Sequence, residues 1–271
     1  MSCYCSLQPL TNIGIQQARA AHQTIGQKKY WRCYVSNQER AFRTAYYILY
    51  NKTSPSHVRQ THKENNGNSD EVIYYNNNNE QTNRVDNECS LILEPRLRER
   101  AKGVREGRNK NLSYEEALAL FEKEQGGRMP VLETEQDVWE RINDWIMDVW
   151  KDACHDYESN CRQNDSMSET DAAIYDVLAV SHSGTLRTAI ENLVYSQLPP
   201  NLEREPGSQV GRMLVPNTSL TTIELDFKSP DTKYWNKENI DQWEVKLLEF
   251  VNVSHLNGVK LERQKLEVSK V

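Results

Sequence analysis

The sequence predicts an α/β fold of three layers, with a largely parallel sheet covered by helices on both faces. Two short apolar runs, Tyr30 to Val35 and Val177 to Val180, each end in small or polar residues that turn the chain. Each run is followed directly by a stretch with apolar residues at helical spacing. Strand–turn–helix units that repeat in this way build a parallel sheet with helices packed against it.

Pro9 to Ala18 reads as the start of a helix, with Thr11 as its N-cap. Tyr30 to Val35 is the first strand, and the helix opening after Ser36 brings Arg40 close to a sheet edge. Residues 57 to 88 are rich in Asn, Glu, Ser and Thr, including the run Asn76 to Asn79, and read as a flexible surface insertion. Asp137 to Trp150 is an amphipathic helix, because Val138, Ile142, Trp145, Ile146 and Val149 share one face. Residues 155 to 170 read as a second, shorter polar insertion. Val177 to Val180 suits a strand buried on both faces. The helix that follows carries Leu186, Ile190, Leu193 and Val194. Leu220 to Phe227 and Trp243 to Val251 are strands, and the charged tail 259 to 271 is solvated.

A chain of 271 residues can bury one substantial core, so residues 1 to 271 are expected to form a single domain. The net charge of −6 argues against nucleic acid as a general partner. No apolar stretch reaches membrane-spanning length, and the start has no signal-peptide core, so no membrane association is expected. The six cysteines show neither a C-x-x-C pair nor zinc-ligand spacing. Reduced thiols in the cytoplasm account for them, with neither a metal nor another cofactor.

The chemistry concentrates in three places. His182 follows the strand Val177 to Val180 directly and stands beside the exposed N–H groups of a helix start, a setting that favours anions. Arg40 offers a planar, permanently charged fork that can hold two oxygens of an anion or pair with a carboxylate. Glu99 is a carboxylate in a basic loop, since seven basic and two acidic residues lie between Arg96 and Lys110. In an acidic protein that local reversal suits an anionic substrate.

These residues fall in four blocks, PLTxxGxxQA from Pro9, SxxxRAxxTA from Ser36, LRExxxGxxEG from Leu97 and VSHxG from Val180. Their order and spacing resemble the histidine phosphatase superfamily, also called phosphoglycerate mutase-like. Glu133 to Arg141 and Pro216 to Leu220 resemble two weaker blocks of that family. The resemblance implies that Arg40, Asn217 and the Ser183 N–H hold a substrate phosphate. It assigns transition-state stabilisation to His182 and proton transfer to Glu99, without a cofactor. The partner it implies is a small phosphorylated substrate.

Family members begin with a strand ending in Arg-His-Gly, whose histidine accepts the phosphoryl group. No Arg-His-Gly occurs in this chain. The fold is therefore expected to lack the family's first central strand, and the chain as given to be weak or inactive. The stretch Arg98 to Arg108 resembles the TIGAR-type fructose-2,6-bisphosphatase branch, which favours a sugar phosphate or bisphosphate. Asn109 to Met129 lacks the paired-arginine segment of phosphoglycerate mutases, which makes a mutase the second reading. A non-catalytic phospholigand-binding or scaffold protein is the third.

Overall fold

The structure is a computed structural model that describes residues 9–51, 72–73, 90–109, 111–124, 127, 129–163, 175–195, 215–227 and 243–259. Helix α1 (Asn12–Ile25) starts where expected, because the Thr11 hydroxyl accepts the Gly14 N–H at 3.0 Å. Strand β1 (Arg32–Val35) leads into α2 (Glu39–Tyr50). Then come β2 (Val72–Ile73), β3 (Leu91–Leu93), α3 (Tyr114–Glu124), α4 (Glu135–Gln163), β4 (Val177–Val180), α5 (Ser183–Tyr195), β5 (Leu220–Phe227) and β6 (Trp243–Asn252).

The main sheet has the order β2-β3-β1-β4. β1 runs parallel to both β3 and β4, and only the short β2 is antiparallel. The register explains the layers. Cys33 and Val35 align with Leu91 and Leu93 on one side and with Leu178 and Val180 on the other. Since successive side chains alternate faces, all six point the same way, where they pack with Ala41, Phe42 and Ala45 of α2. Helix α1 lies over α2, with Ala18 and Ala21 against Tyr47 and Ile48. Tyr34, Ile92 and Ala179 occupy the opposite face and meet Val138, Ile142 and Trp145 of α4 and Leu193 of α5. The three-layer expectation holds, with α1 and α2 on one face and α4 and α5 on the other.

Three expectations need correction. Strand β4 has neighbours on both faces, Leu178 and Val180 on one and Val177 and Ala179 on the other, but all four residues are only half-buried. Among the described strands it pairs with β1 alone, while β5 and β6 form a separate antiparallel pair. Helix α4 continues to Gln163, into the region expected as a polar insertion from residue 155. The apolar stripe explains this, since Val149, Ala153 and Tyr157 continue it at i, i+4 and i+8. Asp152 and Asp156 also tie the helix to Arg32 and to the Trp31 indole. Finally, Val72 and Ile73 form a strand within the region read as an insertion. The rest of residues 57–88, 164–170 and the tail beyond Val259 lie outside the described residues. No described helix is long and apolar enough to cross a membrane.

Candidate active site

The parallel strands β1, β3 and β4 deliver their C-terminal ends to one edge of the sheet, and the candidate site is built there. Ser36 follows β1, is fully buried, and donates its N–H to the Val180 carbonyl at 3.0 Å. His182 follows β4 and is 6 % exposed. Its carbonyl accepts the Leu186 N–H at 2.8 Å, so His182 opens α5. Its Nε2 lies 2.8 Å from Ser36 Oγ, a hydrogen bond that joins the two strand ends. Arg40 stands in the first turn of α2, and Ser183 is the exposed first residue of α5. Two helix N-termini therefore open at the same edge, and the N–H groups of a first turn have no intrahelical acceptor.

Glu99 reaches this edge from the loop after β3. A Cβ on Gly184 would lie 2.7 Å from Glu99 Oε1, so the carboxylate sits directly against the start of α5 and a larger residue at 184 would push it aside. Arg40 and Glu99 interact electrostatically, and Arg40 also acts on His182. The structure thus brings together Arg40, Glu99 and His182, which are far apart in sequence. Burial pulls the Arg40 pKa down, and the Glu99 carboxylate pushes the other way. The His182 pKa is pulled down to about 3 by burial, with Arg40 and Arg141 adding to it, so the ring is neutral near pH 7.

Asn217 is placed differently. It is exposed in the turn before β5, where its carbonyl accepts the Thr218 hydroxyl at 2.7 Å. No described contact links it to Arg40, Glu99 or His182.

The basic loop also differs from the sequence expectation. Arg96 pairs with Glu94 and Asp148, Arg98 with Glu133, Arg100 with Glu135, and Arg108 with Glu124. Much of that local positive charge is therefore spent on carboxylates of α3, α4 and the flanking loops. Arg40 and Arg141 both interact electrostatically with Glu99. Sequence reasoning did not single out Ser36 and Arg141. Ser36 had a signal, since it follows its apolar strand just as Ser181 and His182 follow theirs. Arg141 closes the weaker block Glu133 to Arg141, on the polar side of an amphipathic helix, but no role was assigned to it there. Among the described residues no group of three or more His, Cys, Asp or Glu could hold a metal ion.

No curated protein sequence matched the chain. Solved structures similar to it include the α-ribazole phosphatase of Shigella flexneri, at 18% identity and a TM-score of 0.49, covering 90% of this chain and 85% of that one. A mycobacterial glucosyl-3-phosphoglycerate phosphatase is 15% identical with a TM-score of 0.47, covering 89% and 87%. Phosphoserine phosphatase from Entamoeba histolytica, in complex with 3-phosphoglyceric acid, is 18% identical with a TM-score of 0.47, covering 92% and 86%. The decisive match is to a family profile. It spans residues 79–238, more than half of the chain, and takes in Glu99, His182, Ser183 and Asn217. With the resemblance in the blocks and this match in agreement, the chain belongs to the histidine phosphatase superfamily, branch 1.

Proposed function

We propose that this site handles the phosphate group of a small phosphorylated metabolite, in the manner of a phosphomonoester hydrolase. The observation that carries this reading is the meeting of Arg40, Glu99 and His182 at the sheet edge where α2 and α5 begin. Phosphoryl transfer is mostly positioning and electrostatic stabilisation of a group bearing several negative charges. Arg40 supplies the bidentate cation. The free N–H groups at the start of α5, Ser183 among them, add donors. His182, neutral without ligand, donates a hydrogen bond to the phosphoryl group and gains a proton more readily once that anion offsets Arg40 and Arg141. In a single displacement, water forms its bond to phosphorus as the bond to the leaving oxygen breaks; Glu99 gives its proton to the departing oxygen, and the proton lost by the water returns to Glu99.

A specificity for sugar bisphosphates draws no support from the ion-paired basic loop. The substrate class is therefore set at phosphomonoesters of small metabolites, with Asn217 a proposed contact to the substrate from the loop before β5.

One further observation favours a second reading, a phospholigand-binding protein without turnover. The described histidines other than His182 stand elsewhere. His22 Nδ1 is 2.6 Å from the Ile48 carbonyl, His155 is exposed on α4, and His255 lies 3.4 Å from Thr218. The two readings share a first test, binding of inorganic phosphate followed by calorimetry. The 271-residue chain should bind it, and Arg40→Ala should weaken binding roughly tenfold or more, as expected for a lost charge-assisted pair. The same chain should hydrolyse p-nitrophenyl phosphate slowly or not at all, because water must attack without a covalent route. Binding that is indifferent to Arg40 and His182 would refute both readings. Robust, His182-dependent turnover would overturn the non-catalytic one.

A further inference from the structure

Three successive carbonyls of the loop that carries Glu99 are held by side chains from the helical layer and the end of β4. Arg141 on α4 donates from Nη1 to the Arg96 carbonyl and from Nη2 to the Arg98 carbonyl, the latter at 2.9 Å. The Ser181 hydroxyl donates to the Leu97 carbonyl, and Thr185 to the Arg98 carbonyl, each at 2.7 Å. Beyond Glu99, the Ala101 N–H donates to Glu133 Oε2 at 2.8 Å. The other oxygen of Glu133 accepts from Arg141 Nε at 3.1 Å and from Arg98. Glu99 therefore sits between two anchored stretches of backbone, and Arg141 with Glu133 bridges them.

We propose that Arg141 is a positioning residue, which fixes the backbone on either side of Glu99 to α4 and so sets the carboxylate against the start of α5 beside His182. This rests on the reading of Glu99 as the proton-transfer group of the site. The side chain of Arg141 is 10% exposed and that of Glu133 6%. Burying two charges is costly unless each is fully hydrogen-bonded, and here every nitrogen of the guanidinium has an acceptor. A guanidinium whose three nitrogens are each engaged in this way holds the groups around it in place. Arginine suits the task because its fixed fork reaches two carbonyls and a carboxylate at once, which the single ammonium of lysine cannot do.

The test uses the ¹⁵N-labelled 271-residue chain and amide hydrogen exchange, comparing wild type, Arg141→Ala, Arg141→Lys and the neighbouring core control Ile142→Val. In Arg141→Ala the Arg100 and Ala101 amides should exchange about tenfold faster or more, the cost of freeing a hydrogen bond to a charged group. The Tyr34 and Val35 amides of β1 should change no more than in the control. Arg141→Lys keeps a cation beside Glu133 and so preserves the fold, while giving a smaller acceleration at the same two amides. A second readout is the pH profile of inorganic phosphate binding. A carboxylate held beside bound phosphate repels it more strongly as the phosphate loses its second proton, and Glu99→Gln should flatten that dependence. Arg141→Ala should flatten it in part, whereas a merely structural role would lower affinity equally at every pH. Unchanged exchange at Arg100 and Ala101, or acceleration spread evenly over β1, would overturn the proposal. Wild-type phosphate binding that ignores Arg40 and His182 would instead overturn the functional reading, and the exchange data would still decide the role of Arg141.

Discussion

His182 is held in a setting that works against its charge. It is buried, Ser36 takes its Nε2, and Arg40 and Arg141 are near enough to resist a proton. A histidine whose folded pKa lies below its unfolded value contributes stability that is fully present above the unfolded value of 6.5. That stability is lost as pH falls toward the folded value of about 3, at ~1.4 kcal/mol for each pH unit between the two. Urea denaturation of the wild-type chain should therefore show stability declining below about pH 6.5, and His182→Gln should flatten that part of the curve. An imidazole signal from His182 that titrates near its ordinary value in NMR would refute the geometry as drawn. Phosphate should reverse the effect, since a bound anion offsets both arginines and raises the pKa of the ring.

At the scale of elements, α1 and α4 test how local chemistry and packing divide the work. The Thr11 hydroxyl satisfies one N–H of α1 that the helix itself cannot. Thr11→Ala should lower stability by about 0.5–2 kcal/mol, measured by chemical denaturation, while leaving phosphate binding unchanged. Ile142 on α4 is 1% exposed and packs among Tyr34, Val138 and Trp145. Ile142→Ala leaves a cavity there and should cost about 2–5 kcal/mol. Because α4 also carries Arg141, this variant should loosen the Glu99 loop as well, whereas the Thr11 variant should not.

For the whole molecule, the handedness of the crossovers restricts where further chain can be added. From β1 the chain passes through α2 to β3 on one side of β1. From β3 it passes through α4, on the opposite face, to β4 on the other side. Both moves agree with the right-handed rule for parallel strands. Helix α1 shares the face of α2. By the same rule, a strand joined ahead of α1 belongs on the β4 side of β1, and β4 already fills the adjacent place. As the central strand expected from the sequence, it would have to enter between β1 and β4, which pair directly from Arg32–Val177 to Val35–Val180. We predict that a version of the protein extended by an N-terminal strand ending in Arg-His-Gly gains thermal stability and becomes a phosphatase insensitive to EDTA. Its turnover should fall sharply in His182→Ala and Arg40→Ala, and Glu99→Gln should hurt most with poor leaving groups. An extended chain that is no more stable, and inactive, would refute the placement and favour the binding reading.

The sequence by itself determined the elements and the class of chemistry. Apolar runs of four residues, helical stripes and a cap threonine are local signals, and they marked β1, β4, α4 and α1 because periodicity depends only on neighbours along the chain. Arg40, Glu99 and His182 stood out because each lies in a short block that resembles one of the family's. What only the tertiary structure decided depends on partners distant in sequence. The basic run around Glu99 looked like an anion-attracting surface until Glu133, Glu135 and Asp148, more than thirty residues away, were found to neutralise much of it. The exposure of β4 could not be read from Val-Leu-Ala-Val, because burial of a strand depends on what lies beside it. Ser36 and Arg141 look like an ordinary turn serine and a surface arginine in the sequence. Burial and the groups they hold in place, His182 in one case and the Glu99 loop in the other, are what give them their roles.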